Sequence, residues 1–399
     1  MTSPPALVEP ELLAWARKNA NLEPIAAERK IGIPEGRVVE WESGKVHPTI
    51  AQLRKAAKVY RRALAVFFLS EPPGDFDTLR DFRRLSESTK GEWSPALRGE
   101  YHRAHFQRDA LLDIAEREGE LPATTWRLNI EGLADSALAA RARTLLQAST
   151  SLKKPAPTAD EYKHLNYWTN ALEEAGVLVM TTEGGEVAIE EMRAFSLYFK
   201  EIPVIALNGR DAARGRTFSL IHEYAHLLLH SEGLCDAITE ARVTTPNRQL
   251  EARCNALAAE ILMPADLILA TPEVASHEGA WLLGELIECA RPYGVSAEAF
   301  LRRLTTLGLA ELAAYQEFCQ KEWDQGATAA EEGSISSERR SSKKRRGSFY
   351  YTKARDLGKG YIRQVAGAHR RSTLDSSTAA AYLGVKVGQM EKLAEVAGF

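Results

Sequence analysis

The chain has 399 residues, a formal net charge of −3, 45% hydrophobic residues and 26% charged residues. Its length exceeds one ordinary domain and suggests two or three, its composition is that of a soluble globular protein, and its widely spaced cysteines exclude a disulfide framework. No apolar run of about eighteen residues and no basic-then-apolar leader is present, so no membrane span, no secretion signal and a cytoplasmic location are expected. Cys235, Cys254, Cys289 and Cys319 form no CxxC pair, which argues against a thiolate metal site and fits a reducing compartment.

Residues 1–74 read as a small helical domain. One helix is expected from Glu11 to Asn19 and a second from Pro24 to Lys30, stopped by Gly32; Pro34 opens a third through Glu42, closed by Ser43 and Gly44. Helix, glycine turn, helix is the plan of a helix-turn-helix, whose second helix enters the major groove. The stretch VVEWESGKVHPTIAQLRKAAKVY resembles the repressor-type, XRE-class helix-turn-helix through Trp41, Glu42, Gly44, Pro48, Thr49, Leu53 and Ala57.

Residues 1–70 hold eleven Lys or Arg against seven Asp or Glu, a net of plus four in a slightly acidic chain. Arg37, Lys45, Lys55, Arg61 and Arg62 are therefore candidates for phosphate contacts on double-stranded DNA. Glu35 and Glu40 oppose this on the presumed recognition helix, which also lacks an Arg or Asn pair for bidentate base contacts. A protein-binding or structural use of the same fold is the competing reading.

Residues 75–158 form a helical connecting region, with two or three helices expected between 76 and 150. His102 and His105 stand three apart there without acidic or Cys neighbours at useful spacing, and are expected as surface histidines. The Pro-rich joint Lys153 to Ala159 leads into a domain over 159–325. It should open with a helix from Ala159 to Ala175, followed by short β runs at Val177–Met180, Val187–Ile189, Ala194–Phe199 and Pro203–Leu207 that make a small twisted sheet. An exposed edge of such a sheet could pair with an extended peptide, although the sequence does not say which strand is the edge.

Arg216 to His230, RTFSLIHEYAHLLLH, reads as one helix carrying His-Glu-x-x-His. Residues four apart lie one turn above each other, so His222 and His226 can aim two imidazole nitrogens at one cation, with Glu223 beside it as general base. Peptide hydrolysis is the implied reaction. The apolar run through Phe218, Leu220, Ile221, Ala225, Leu227, Leu228 and Leu229 makes this a buried central helix, in which polar groups need partners or a metal. A metzincin would carry Gly at 229 and His at 232, where Leu229 and Glu232 stand, and His230 is a poor third ligand because eight helical residues set it about 12 Å from His222.

A second apolar helix is expected over Leu250 to Pro264, LEARCNALAAEILMP, where Glu251 and Glu260 are both possible ligands. Here Glu251, Asn255, Ala258, Ala259, Leu262, Met263 and Pro264 resemble the pattern of the ImmA/IrrE metallo-endopeptidases. The resemblance implies that Glu251 is the third ligand, that Glu260 is a supporting residue, and that the metal is zinc, with manganese or iron able to replace it. It also implies a protease acting on a repressor or regulator protein in phage, mobile-element, toxin-antitoxin or stress-response settings.

Two helices flank Tyr293 to Ser296, with an ordinary glycine-ended helix junction between them. Residues 326–348, rich in Ser, Glu, Lys and Arg, read as a disordered basic linker, and 349–399 as a small helical C-terminal unit. The expected fold class is α+β and mostly helical: a helix-turn-helix bundle, a zincin-like metallopeptidase domain and the C-terminal unit. The expected function is that of a DNA-associated zinc endopeptidase. The alternative is a transcriptional regulator or antitoxin in which the metal site is structural or sensory.

Overall fold

The structure, a computed structural model, describes residues 6, 8–20, 22–60, 67, 93–230, 233–235, 245–311, 313, 315 and 349–399. It contains two compact units, Met1–Arg103 and Ala104–Phe399. Arg61, Arg62 and the expected linker 326–348 lie outside the described residues.

In the first unit, α1 (Pro10–Asn19) and α2 (Pro24–Ile31) each begin at a proline, whose missing N–H is unneeded in a first turn. Gly32 ends α2 in the left-handed conformation, at φ 75°. The next helix, α3 (Arg37–Glu42), starts three residues later than Pro34 suggested, because Gly36 adopts φ 83° and breaks the helical path. Glu28 Oε1 then accepts the Val38 N–H at 2.9 Å, satisfying an amide of the new first turn. The fourth helix, α4 (Ile50–Val59), is fixed by a reciprocal cap between Thr49 and Gln52. Leu13, Ala16, Val38, Trp41, Leu53 and Ala56 form the core between them. A two-pronged ion pair from Arg17 to Glu42, at 2.6 and 2.8 Å, ties α1 to α3.

The connecting region yields α5 (Pro95–Glu118) and α6 (Asp135–Ser149). The second unit takes up α5 from Ala104 and continues through α7 (Glu161–Glu174). The surface expectation fails for His105: its ring meets Phe199 edge-on at 5.7 Å, and burial pushes its imidazole down to about 4.

The strands are β1 (Leu178–Thr181), β2 (Ala194–Leu197) and β3 (Val204–Leu207), followed by the long helix α8 (Ala213–Leu228) and then β4 (Gly233–Cys235). They order as β1-β3-β2-β4, with β1 parallel to β3 and the other pairs antiparallel. Val187–Ile189 is not a strand. The carbonyls of Val187 and Ala188 instead accept from Asn208 Nδ2, at 3.2 Å each, so a side-chain amide takes the place of a ladder.

Behind the sheet, α8 packs against α7, β2 and α9 (Thr245–Leu262). Then come α10 (Ala265–Leu269), α11 (Pro272–Ala275), α12 (Leu283–Ala290) and α13 (Ala297–Thr306). The C-terminal residues form α14 (Phe349–Leu357), α15 (Lys359–Arg370), α16 (Ser376–Leu383) and α17 (Met390–Val396), which belong to the second compact unit. Gly358, at φ 87°, turns so tightly over β1 that a Cβ there would lie 2.2 Å from the Val179 carbonyl oxygen. Glu173 holds the same junction: its carboxylate accepts from Gly360 N at 2.9 Å and Arg363 Nη2 at 3.2 Å.

Candidate metal and catalytic site

The site is built on α8, whose side chains are buried around nearly its whole circumference. His222, Glu223 and His226 are all essentially inaccessible. On the next helix Glu251, half-buried, faces them. His222 Nε2 and His226 Nε2 are 3.1 Å apart, and Glu251 oxygens lie 3.2 Å from the first and 3.3 Å from the second.

Those separations test whether the residues suit a metal. A four-coordinate ion with bonds of about 2.0–2.1 Å spaces its ligand atoms roughly 3.3 Å apart, and two imidazoles with one carboxylate are donors suited to zinc. Hard cations such as calcium or magnesium prefer oxygen alone. Among the described residues, His222, His226 and Glu251 are the group of ligand-type side chains whose donor atoms come within 4.8 Å of one another.

The electrostatics agree with a cation there. Burial pushes the Glu251 carboxyl up, but hydrogen bonds with His222 and His226 outweigh it and hold the group well below the usual carboxylate range. Burial pushes His226 down, yet Cys254, Glu251 and Glu223 together hold its imidazole above the usual histidine range. The cluster therefore favours positive charge at its centre.

Glu223 is fully buried, and its Oε2 accepts the Ser196 hydroxyl at 2.6 Å. Its Oε1 has no hydrogen-bond partner, nor does His222 Nδ1. Ser196 comes from the middle of β2, opposite Ile205 on β3 and Gly233 on β4. Neither Ser196 nor Cys254 was singled out from the sequence. Ser196 had a signal, because the one hydroxyl inside the strand sequence AFSL must find a partner when that strand is buried.

His230 lies beyond the end of α8, at φ 54°, with its ring 5.1 Å from that of Tyr198 rather than in the cluster. Glu260 is engaged elsewhere, pairing with Arg303 and accepting the Ala265 N–H at 3.3 Å. That leaves Glu251 facing the histidines. Tyr224 fixes the helix from its other side by donating to the Trp126 carbonyl at 2.9 Å.

Residues 172–305 match the model of a peptidase family described as the IrrE N-terminal-like domain, and residues 13–67 match a helix-turn-helix model. The chain carries an IrrE N-terminal-like domain behind a helix-turn-helix. No curated protein matches it. The IrrE N-terminal-like match runs from α7 into α13, and so includes the sheet, α8 and all four residues of the site. The helix-turn-helix match runs from within α1 through α4. Together the two matches support a regulator-associated metallopeptidase or a DNA-binding protein in general terms. Of the five DNA-contact candidates, Lys45 and Lys55 are exposed, and Arg37 pairs with Glu40 at 3.1 Å. No helix among the described residues is long and apolar enough to cross a membrane.

Proposed function

We propose that the protein is a cytoplasmic, DNA-associated zinc endopeptidase that cleaves a repressor or regulator protein. His222, His226 and Glu251 hold the metal and Glu223 is the general base. The observation that carries this reading is the convergence of three ligand atoms at tetrahedral spacing beside a buried carboxylate with one free oxygen. A bound zinc ion supplies Lewis acidity towards water and the scissile carbonyl. Ser196 fixes one oxygen of Glu223, so that Oε1 is left to take a proton from the attacking water and return it to the leaving amine. A closed structural site has no use for such a base, which disfavours the structural or sensory alternative.

Substrate recognition by strand addition is supported by the sheet order. The β1 end is covered by the Gly358 turn, whereas β4 is the terminal strand on the side of β2 and Ser196. The helix-turn-helix would hold the enzyme at promoters where its target is bound, raising the local concentration of that target.

Elemental analysis comes first. Wild type should hold about one zinc per chain, and Glu251→Ala and His226→Ala should each lose it while retaining their circular dichroism. Co-expression with the host proteome, read by sequencing of new protein N-termini, then compares wild type with Glu223→Gln. New termini in wild type alone support the peptidase. Identical termini in both strains, with Glu223→Gln folded and metal-loaded, refute the role given to Glu223.

A further inference from the structure

A cavity of about 380 Å³ lies in the second unit, away from the histidine cluster, with Arg143, Lys154, His164, Tyr167, Trp168 and Tyr293 among its walls. Its size falls within the range of small-molecule sites, which run from about 300 to 1,000 Å³. Three of these walls are aromatic, and both charged walls are cationic; no Asp or Glu lines the cavity.

The polar groups here are incompletely used. Arg143 donates through Nη1 to the carbonyls of Ile261 and Leu262, the second at 3.2 Å. Its Nε and Nη2 have no partner among the described residues, and its Cζ stands 5.6 Å from the centre of the Trp168 ring. Burial holds this guanidinium below its usual range, opposed by Tyr167 and Tyr293 in the walls and more weakly by Asp266 and Glu260, which do not line the cavity. His164 is 4% exposed, and its Nε2 has no hydrogen-bond partner. The Gly294 turn presses on that ring so closely that a Cβ there would lie 2.4 Å from the His164 Cβ, which fixes this wall in place. A half-buried cation with spare N–H groups beside flat aromatic surfaces asks for two things at once: an anionic oxygen to receive its donors, and a planar ring to fill the apolar space.

We propose that this cavity is a binding site for a small planar aromatic anion, its ring lying among Tyr167, Trp168 and Tyr293 and its carboxylate, sulfonate or phosphate meeting Arg143 and Lys154. Such a ligand would share Arg143 with the last turn of α9, the helix that carries Glu251. The proposal does not depend on peptidase activity and is tested without it.

Two probes with the same rings separate the requirements: 1-anilinonaphthalene-8-sulfonate, which is anionic, and N-phenyl-1-naphthylamine, which is neutral. Fluorescence titration of the full chain should show one saturable site for the sulfonate, with the neutral probe at least tenfold weaker. Lys154→Glu, at an exposed position, should weaken sulfonate binding about tenfold with the melting temperature unchanged. Gln147→Trp, which narrows the cavity from its wall, should weaken both probes. Equal affinity for the two probes, sulfonate binding indifferent to Lys154→Glu, or no saturable binding would each overturn the proposal.

Discussion

Glu28 in the helix-turn-helix and Glu223 in the IrrE N-terminal-like domain are both buried carboxylates with one oxygen bonded and the other without a partner. Glu28 spends its bonded oxygen on a backbone amide, Val38 N, at the start of α3, and among the described residues no ligand-type cluster surrounds it. Glu223 is bonded by a serine side chain and stands on the same helix as two histidines that face a third ligand-type residue. A solitary unpaired oxygen in a core is thus not a functional signature; its neighbours decide what it does.

The largest expected effect breaks this pair apart. Glu223→Gln should lower target cleavage by about 10²- to 10⁴-fold, the usual worth of a general base, while keeping the metal. Glu28→Ala should leave cleavage intact and lower stability by about 1–3 kcal/mol, because it abandons the buried Val38 amide. Denaturant titration and a cleavage assay on both variants measure the contrast. Equal losses of activity in the two would remove the distinction.

How much of this was legible in the sequence follows from the range of each interaction. His222, Glu223 and His226 were legible because helical period alone brings them together. Choosing Glu251 over Glu260 needed either a resemblance or coordinates. Both lie on one helix, and the choice is made by Arg303, which is distant in sequence and occupies Glu260. Val187–Ile189 read as a strand by its β-branched residues, but the Asn208 amide that captures its carbonyls left no local trace. The C-terminal residues read as a small helical unit after a basic linker, and the contacts of Glu173 and the Gly358 turn that join them to the sheet left no local trace.

Glu173 extends the comparison to a third carboxylate, one whose side chain is only 7% exposed and fully engaged by Gly360 and Arg363. Burial pushes its carboxyl up to about 7, with the Gly360 amide and Arg363 opposing the rise. The folded protein then holds this proton at pH values where the unfolded chain has released it. The associated stability is present below about pH 4.5 and is lost as pH rises towards 7, by roughly 3 kcal/mol at most. Glu173→Gln keeps the acceptor without the charge. The difference in unfolding free energy between wild type and variant should shift in the variant's favour between pH 5 and pH 8, as followed by urea titration at each pH. A constant difference would mean that the carboxyl titrates normally.

Ser196 sharpens the comparison at a smaller scale, since Glu223 is bonded by its side chain where Glu28 is bonded by a backbone amide. Ser196→Ala should retain one metal per chain and lower cleavage by about tenfold, the equivalent of one hydrogen bond to a charged group. Ser196→Thr, which restores the hydroxyl, should recover part of the activity. If the alanine variant cleaves as well as wild type, Glu223 is held by the fold of α8 alone.

The smallest effect concerns the first unit's own proposed function, which rests on exposed charges rather than on a convergent cluster. Lys55 has no ion-pair partner among the described residues, whereas Arg37 is compensated by Glu40. Each phosphate neutralised on duplex DNA contributes about 0.9 to the slope of log affinity against log salt. Lys55→Ala should therefore reduce that slope by about one, and Arg37→Ala by less, because breaking the Glu40 pair offsets part of what the guanidinium gains at a phosphate. Duplex binding measured from low to moderate salt gives both slopes. Should neither variant change its slope, α3 and α4 do not face DNA, and this bundle serves a protein partner instead.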